Sequence, residues 1–278
     1  MRPPRLLLVV LAALAAVGCT RRAVEGLPPG VGVEDLPESE SWNARLRTSA
    51  DGLPQLEIEA PYLAQFARDT PYVYLGPPPG DTASAPVQIR LFDEGAPRGS
   101  VRAREVRLYD DGARVEADGE VWATVSGRDG AQIEAQRLTV EADTITAIGR
   151  VRAEIQGEPS ARVQAARLRV APGGAFTASG GAVVELGGQA NATVRARTVS
   201  GSDGRYTATG GVRVLASGGR TLEAERVVWS ESAGRFSAPG AFAFDGPGER
   251  VRGVGLSASA DLSRYSFRRA TGEIEVRE

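Results

Sequence analysis

The sequence contains no histidine, and all 33 of its basic residues are arginine. Those two absences remove the commonest general base, the usual neutral nitrogen ligand for metals, the Schiff-base amine and the lysine of a phosphate-binding loop. Its one cysteine, Cys19, excludes an intrachain disulfide. The 33 arginines stand against 35 acidic residues, for a formal net charge of −2. No global field would draw in nucleic acid or an anionic lipid surface. Beyond the N-terminal segment, no stretch of useful length has helical periodicity. The chain is therefore expected to bind no metal, cofactor or nucleic acid and to catalyse nothing.

In place of catalytic motifs the chain has repetition and many glycines, 34 in 278 residues. Two phrases return roughly every thirty residues, the signature of a repeat architecture. The first, apolar-x-Ala-x-x-apolar-x-apolar, occurs at Val101–Leu108, Ile133–Val140, Val163–Val170, around Ala196, and at Leu222–Trp229. The second, apolar-x-Ala-x-Gly-x-apolar, occurs at Val115–Val121, Ile145–Val151, Phe176–Ala182, Tyr206–Val212 and Phe236–Phe242, with a weaker copy at Ala270–Ile274. Both alternate with the period of a half-buried strand. Turn dipeptides such as Asp111-Gly112, Asp129-Gly130, Gly173-Gly174, Asp203-Gly204, Gly218-Gly219 and Pro247-Gly248 separate them. Two strands per repeat joined by tight turns predict an antiparallel meander.

The first phrase carries a geometric instruction. Its apolar positions slip by one residue after the alanine, so a flat strand cannot keep both pairs on one face. A bulge or sharp bend at the slip can. The second phrase places small residues mid-strand on the neighbouring strands, and glycine there marks a bend or a close backbone approach. The expected fold is all-β: a bent, V-shaped antiparallel β-jelly-roll built from two-strand repeats. Its apolar inner face would carry Val121, Ile133, Leu138, Val140, Ile145, Val151, Ile155, Leu168, Val170, Val184, Val212, Val214, Trp229, Phe236 and Phe242. Packed against one another, these side chains would make a filled sandwich core. With so many alanines and glycines mid-sheet, such a core would be thinly filled.

At the N-terminus, Arg2 and Arg5 precede an apolar run from Leu6 to Val17, short for a bilayer span and suited to a signal peptide. The sequence Ala16-Val17-Gly18-Cys19 resembles the lipobox of bacterial lipoproteins, in which the cysteine is lipidated and becomes the new N-terminus. An ordinary signal peptide with an incidental cysteine is the alternative. The expected organisation is a signal peptide at 1–18, a tether rich in charge and proline at 19–54, and one repetitive β domain at 55–278, with a loop at 76–86.

The two phrases together resemble the OstA-like proteins of lipopolysaccharide transport, most closely the periplasmic LptC-type component. The residues that carry the likeness are Ile89-Arg90-Leu91-Phe92-Asp93-Glu94-Gly95, Val101-Arg102-Ala103, Gly119-Glu120-Val121, Thr221–Trp229 and Gly272-Glu273-Ile274. The resemblance implies that the inner face is a groove shielding lipid acyl chains. It also implies that the domain stacks edge to edge with other OstA-like proteins into a bridge fed by an inner-membrane ABC transporter. A periplasmic protein with a lipid anchor at Cys19 is expected, and the resemblance favours the inner membrane. The departures are the lipid anchor in place of a transmembrane helix and more repeats than a short LptC-type domain needs. Of the two sheet edges, expected near 56–66 or 87–92 and near 267–276, the C-terminal one at Gly272, Ile274 and Val276 lacks proline and is the expected partner-facing end.

Two other classes are carried alongside: a structural or adhesive β-solenoid with no ligand, and a polysaccharide-active β-helix. The second needs paired carboxylates on a cleft. Asp110, Asp111, Asp143 and Asp203 fall at turns instead.

Overall fold

The computed structural model describes residues 36–126, 130–142, 144–155, 160–172, 174–187 and 191–274. Cys19 and Val276 lie outside the described residues. Apart from two short 3-10 turns, at Asp110–Gly112 and Ser217–Gly219, the elements are all strands. They are β1 (Ser39–Ala50), β2 (Leu53–Phe66), β3 (Tyr72–Gly76), β4 (Val87–Asp93), β5 (Ala96–Ala103), β6 (Glu105–Tyr109), β7 (Arg114–Val125), β8 (Ala131–Glu141) and β9 (Thr144–Ile155). There follow β10 (Ala161–Val170), β11 (Phe176–Leu186), β12 (Ala192–Ser202), β13 (Arg205–Ala216), β14 (Thr221–Ser230), β15 (Arg235–Gly246), β16 (Glu249–Ser259), β17 (Tyr265–Ser266) and β18 (Arg269–Ile274). Strand pairing assigns all eighteen to one antiparallel sheet. The expected all-β antiparallel class is the observed one.

The chain divides into two compact units. The first comprises the described residues up to Ser126 with the C-terminal half of β8; the second comprises the N-terminal half of β8 and the described residues from Thr144 onward. In the first unit, β1 runs antiparallel along β2. The N-terminal half of β2 then pairs with β4 and its C-terminal half with β3. β4 continues to β5 and β3 to β6, and both branches pair with β7. Each long strand therefore faces two short ones. The proline-rich loop 77–86 separates β3 from β4, and Arg104 alone separates β5 from β6. In the second unit β9 through β16 form a simple meander, closed by β17 and β18 on β16.

Three boundaries differ from the sequence reading. Residues 39–50 belong to an edge strand, not to the tether, so the N-terminal edge is β1 and not 56–66 or 87–92. A two-residue loop joins β1 to β2 through Asp51 (φ 52°) and Gly52 (φ 79°), the left-handed pair of a type I′ hairpin. Residues 72–76 form a strand that the proline-rich flank obscured. The phrase at 101–108 is two strands, because the backbone turns at Arg104, whose amide donates to the carbonyls of Asp118 and Gly119.

The phase slip has a consistent origin in the second unit. Across β10 and β11, Gln164 to Arg167 on one strand faces Val183 to Ser179 on the other, three steps against four. The same mismatch recurs between β12 and β13, where Arg195 to Thr198 faces Arg213 to Thr209. The extra residue always sits on the strand of the glycine phrase. There two successive residues take left-handed backbone: Gly180 and Gly181 at φ 79° and 88°, Gly210 and Gly211 at 84° and 68°. The anchor glycine also lies against the residue that follows the alanine of the preceding strand. A Cβ on Gly180 would stand 2.7 Å from Ala166 Cβ, and one on Gly210 would stand 2.7 Å from Arg197 Cβ. In the first unit Gly119 repeats the contact, with Arg104 Cβ at 2.7 Å. The β15 copy departs from this, with Pro239 entering the bend and Gly240 outside the left-handed region.

Gly180 and Gly181 separate the two demands of the crease. Gly181 is at φ 88° with nothing within 4 Å of a built Cβ. Gly181→Ala should cost only the left-handed backbone penalty, about 1–2 kcal/mol. Gly180→Ala should cost that plus the displacement of Ala166. Urea unfolding should therefore rank Gly180→Ala clearly below Gly181→Ala, and equal losses would show that the close approach is not limiting.

Candidate functional site

The bend divides each strand of the second unit into two halves that face one another across an apolar interior. On one half-sheet, direct cross-strand partners form the ladder Val163, Val184, Val194, Val214, Leu222, Phe244 and Val251. On the other half-sheet the row nearest the turns reads Ile145, Val170, Phe176, Gly201, Tyr206, Trp229, Phe236 and Ala258. The sequence builds the aromatic part of this row by giving β11, β13, β14 and β15 an aromatic residue two positions before or after a turn. Gly201 is the gap that admits them: a Cβ there would meet Phe176 and Tyr206 ring carbons, each at 2.6 Å. Trp229 and Phe236 lie 4.6 Å apart, centroid to centroid, and Phe176 and Tyr206 lie 6.0 Å apart. At the C-terminal end Tyr265, paired with Ala258 of one half-sheet, sets its ring 4.7 Å from that of Phe244 on the other.

The predicted inner-face residues fall into two groups. Val121, Ile133, Leu138, Val151, Leu168, Val184, Val212, Val214, Trp229, Phe236 and Phe242 are buried. Val140, Ile145, Ile155 and Val170 are only half-buried, because each stands at or next to an end of its strand, at the rim rather than inside. Val121, Leu138 and Val140 belong to the first unit and the others to the second. Val184, Trp229 and Phe236 line one cavity of about 20 Å³, together with Leu186, Val194, Val199, Tyr206, Ala208 and Val227. Val212 and Phe242 line a different and larger depression, about 500 Å³, over the bend of β13 to β15. Its polar groups satisfy one another: Arg213 pairs with Glu223 at 3.5 Å, and the Gly211 amide donates to Glu225 Oε2 at 3.4 Å. Gly272 and Ile274 lie on β18, the outermost strand at the C-terminal end among the described residues.

The inner face is closed as well as apolar. Among the described residues no charged or polar residue is buried, and no group of three or more potential metal ligands occurs. The charges lie outside, in exposed cross-strand pairs such as Arg162–Glu154 and Arg250–Asp245, which contribute little stability. One polar atom breaks the apolar pattern inside the second unit. Trp229 is 6% exposed, and its Nε1–H has no hydrogen-bond partner.

A second aromatic cluster went unread in the sequence because its members are scattered from Trp42 to Tyr109 and fit neither phrase. On the first unit, Trp42 packs on Tyr62 and Tyr62 on Tyr74, with centroids 5.5 and 6.2 Å apart. Phe66 stacks on Tyr72 at 4.8 Å, and the Arg114 guanidinium lies 4.1 Å over the Tyr109 ring. Residues opposite these on the same strands, such as Leu63, Leu75 and Val106, fill that unit's interior. The aromatic cluster therefore covers its outer face.

No protein-family model matches this sequence, and no curated protein matches it either.

Tyr206 gives the second unit a pH signature. Burial, then the hydrogen bond from its hydroxyl to Glu231 Oε1 (2.7 Å) and the charge of that carboxylate, push its pKa up to about 12. Burial and Glu249 do the same for Tyr265. The folded state thus holds these protons more tightly than the unfolded chain, whose phenols have the ordinary value of 10.0. The stabilisation is fully present below pH 10 and is lost as pH rises from about 10 to about 12. Melting temperatures recorded from pH 9 to 12 should fall over that window. The double variant Tyr206→Phe/Tyr265→Phe should flatten the fall, and an unchanged slope would mean other groups govern it.

Proposed function

We propose that this protein is a periplasmic lipopolysaccharide-binding transport component. It shields acyl chains between the two halves of a folded-over β-sheet and passes them along a protein bridge from an inner-membrane ABC transporter toward the outer membrane. The supporting observation is an interior in which no charged or polar residue is buried, built by two facing half-sheets. The repeated phrases and their resemblance to the OstA-like, LptC-type proteins supply the substrate class. The sheet ends at β1 and at β18, each paired on one side only among the described residues. Such edges can accept a further strand from a neighbouring protein. β18, with Gly272 and Ile274, is the end proposed to face the partner. Cys19 would carry the lipid anchor that holds the chain to a membrane, the inner membrane by the resemblance. No catalytic step and no cofactor belongs to this reading; a partner ATPase supplies the energy.

One observation favours a second reading, a structural β-protein with a filled core and no ligand. Between Val184, Trp229 and Phe236 the two half-sheets of the second unit leave a cavity of about 20 Å³, far smaller than an acyl chain. Lipid can enter only if the half-sheets part.

A photo-crosslinking amino acid distinguishes the two. Placed at Val151, 1% exposed, or at Val212, also 1% exposed, it should give an ultraviolet-dependent lipopolysaccharide adduct in cells. The exposed neighbour Arg152 should give none. Folded protein with no adduct at either inner site would select the filled-core reading.

A further inference from the structure

The unpartnered indole N–H of Trp229 lies in the most aromatic part of the interior. Trp229 lines the cavity of about 20 Å³ between the half-sheets, and the other lining side chains are apolar except for Tyr206. The Tyr206 hydroxyl is already committed to Glu231 at 2.7 Å. A cavity of this size can hold one water molecule, but a buried water needs two to four polar partners. The lining side chains offer at most one uncommitted polar group, the indole N–H. The donor is therefore left without water as well as without protein, and an unsatisfied buried donor costs free energy that a neighbour could recover. Phenylalanine at this position would fill the row beside Phe236 without that cost.

We propose that Trp229 Nε1–H is a specificity element for acyl chains. The half-sheets part around this cavity to take one long apolar chain, and the indole N–H donates to the ester or amide carbonyl near the head of that chain. The inference rests on the reading above that the interior takes up acyl chains. It adds the recognised atom and excludes plain alkyl chains as preferred ligands. The location fits the role. Trp229 is in the row nearest the turns and one residue from the end of β14, so the carbonyl would sit close to the opening. The methylenes would run inward over Val199, Ala208 and Val227 toward the crease. The half-buried Ile145 and Val170 continue the same row to the rim, extending the apolar path outward.

The test compares a radiolabelled myristoyl lysophospholipid with its ether-linked analogue, both below their micelle concentrations, by equilibrium dialysis. Wild-type protein should bind the ester roughly three- to tenfold more tightly than the ether, the range expected of one net hydrogen bond. In Trp229→Phe that ratio should fall to one. A second readout requires no variant to fold: ester, but not ether, should shift one of the three indole N–H proton resonances downfield. Equal binding of ester and ether by the wild type, or a preference that persists in Trp229→Phe, would overturn the inference and leave the acyl-binding reading standing. Binding of neither lipid would overturn both. Competition by lipid A, and not by diacyl phospholipid, assigns the carbonyl to lipopolysaccharide. The reverse keeps the role of Trp229 and removes lipopolysaccharide as the source.

Discussion

The whole sheet depends on a missing Cβ. At three of the folds an anchor glycine backs onto the residue that follows the alanine of the neighbouring strand, at a distance no side chain allows: Gly119 on Arg104, Gly180 on Ala166, Gly210 on Arg197. The glycine and the residue after it adopt left-handed backbone, which lengthens one strand by a residue and turns both. Where that second residue is not glycine, as at Glu120 (φ 52°) and Arg150 (φ 47°), the bend is retained against the left-handed penalty. The two sequence phrases are therefore two sides of one contact. The alanine phrase supplies the pivot, the glycine phrase supplies the room, and neither bends a strand alone.

The crease also fixes what the interior can be. Alanines at 103, 135, 165 and 196 and at 117, 147, 178, 208 and 238 bring the strands close at the fold line, and all are buried. Bulk is pushed toward the turns, where Tyr206, Trp229 and Phe236 line a small cavity with Val184 and Val194 of the other half-sheet. A wedge of this kind is narrow at the crease and wide at the mouth. Tyr265 bridges the two halves at its C-terminal end.

Much of this was legible because it repeats. A residue-by-residue slip after each alanine has one structural meaning, and it recurred often enough to read. Val151, Leu168 and Val212, which alternation alone assigns to the inner face, are buried. Errors arose where local chemistry changed the pattern. Residues 39–50 carry charges and border prolines, so they read as tether. Yet Ala44, Leu46, Thr48 and Ala50 alternate into Asp51-Gly52, and that dipeptide after an alternating run is a hairpin signal. Val140, Ile145, Ile155 and Val170 obey the alternation but stand at or next to strand ends, and period alone does not tell interior from rim. The aromatic row over Gly201 was not readable at all, because it is a property of cross-strand register and not of any one strand.

The closed interior and the transport reading are compatible for a reason that lies in the hydrogen-bond pattern. Ladder bonds run between neighbouring strands within each half-sheet, and none crosses the space between the two halves. At the C-terminal end the Tyr265 hydroxyl donates to Glu249 across the two halves, at 2.6 Å; elsewhere, with no charged or polar residue buried there among the described residues, parting the halves on the turn side separates apolar surfaces. It exposes apolar side chains, at roughly 25 cal/mol for each Å² uncovered. An acyl chain entering the gap covers that surface again and buries its own methylenes, each contributing about 0.8 kcal/mol. The exchange is apolar for apolar, so its balance favours the lipid whenever the chain fills the opened wedge as well as the facing half-sheet did. A core stapled by buried ion pairs would not allow it. The arginines, confined to the outer face in pairs such as Arg162–Glu154 and Arg213–Glu223, leave the inner one free to open.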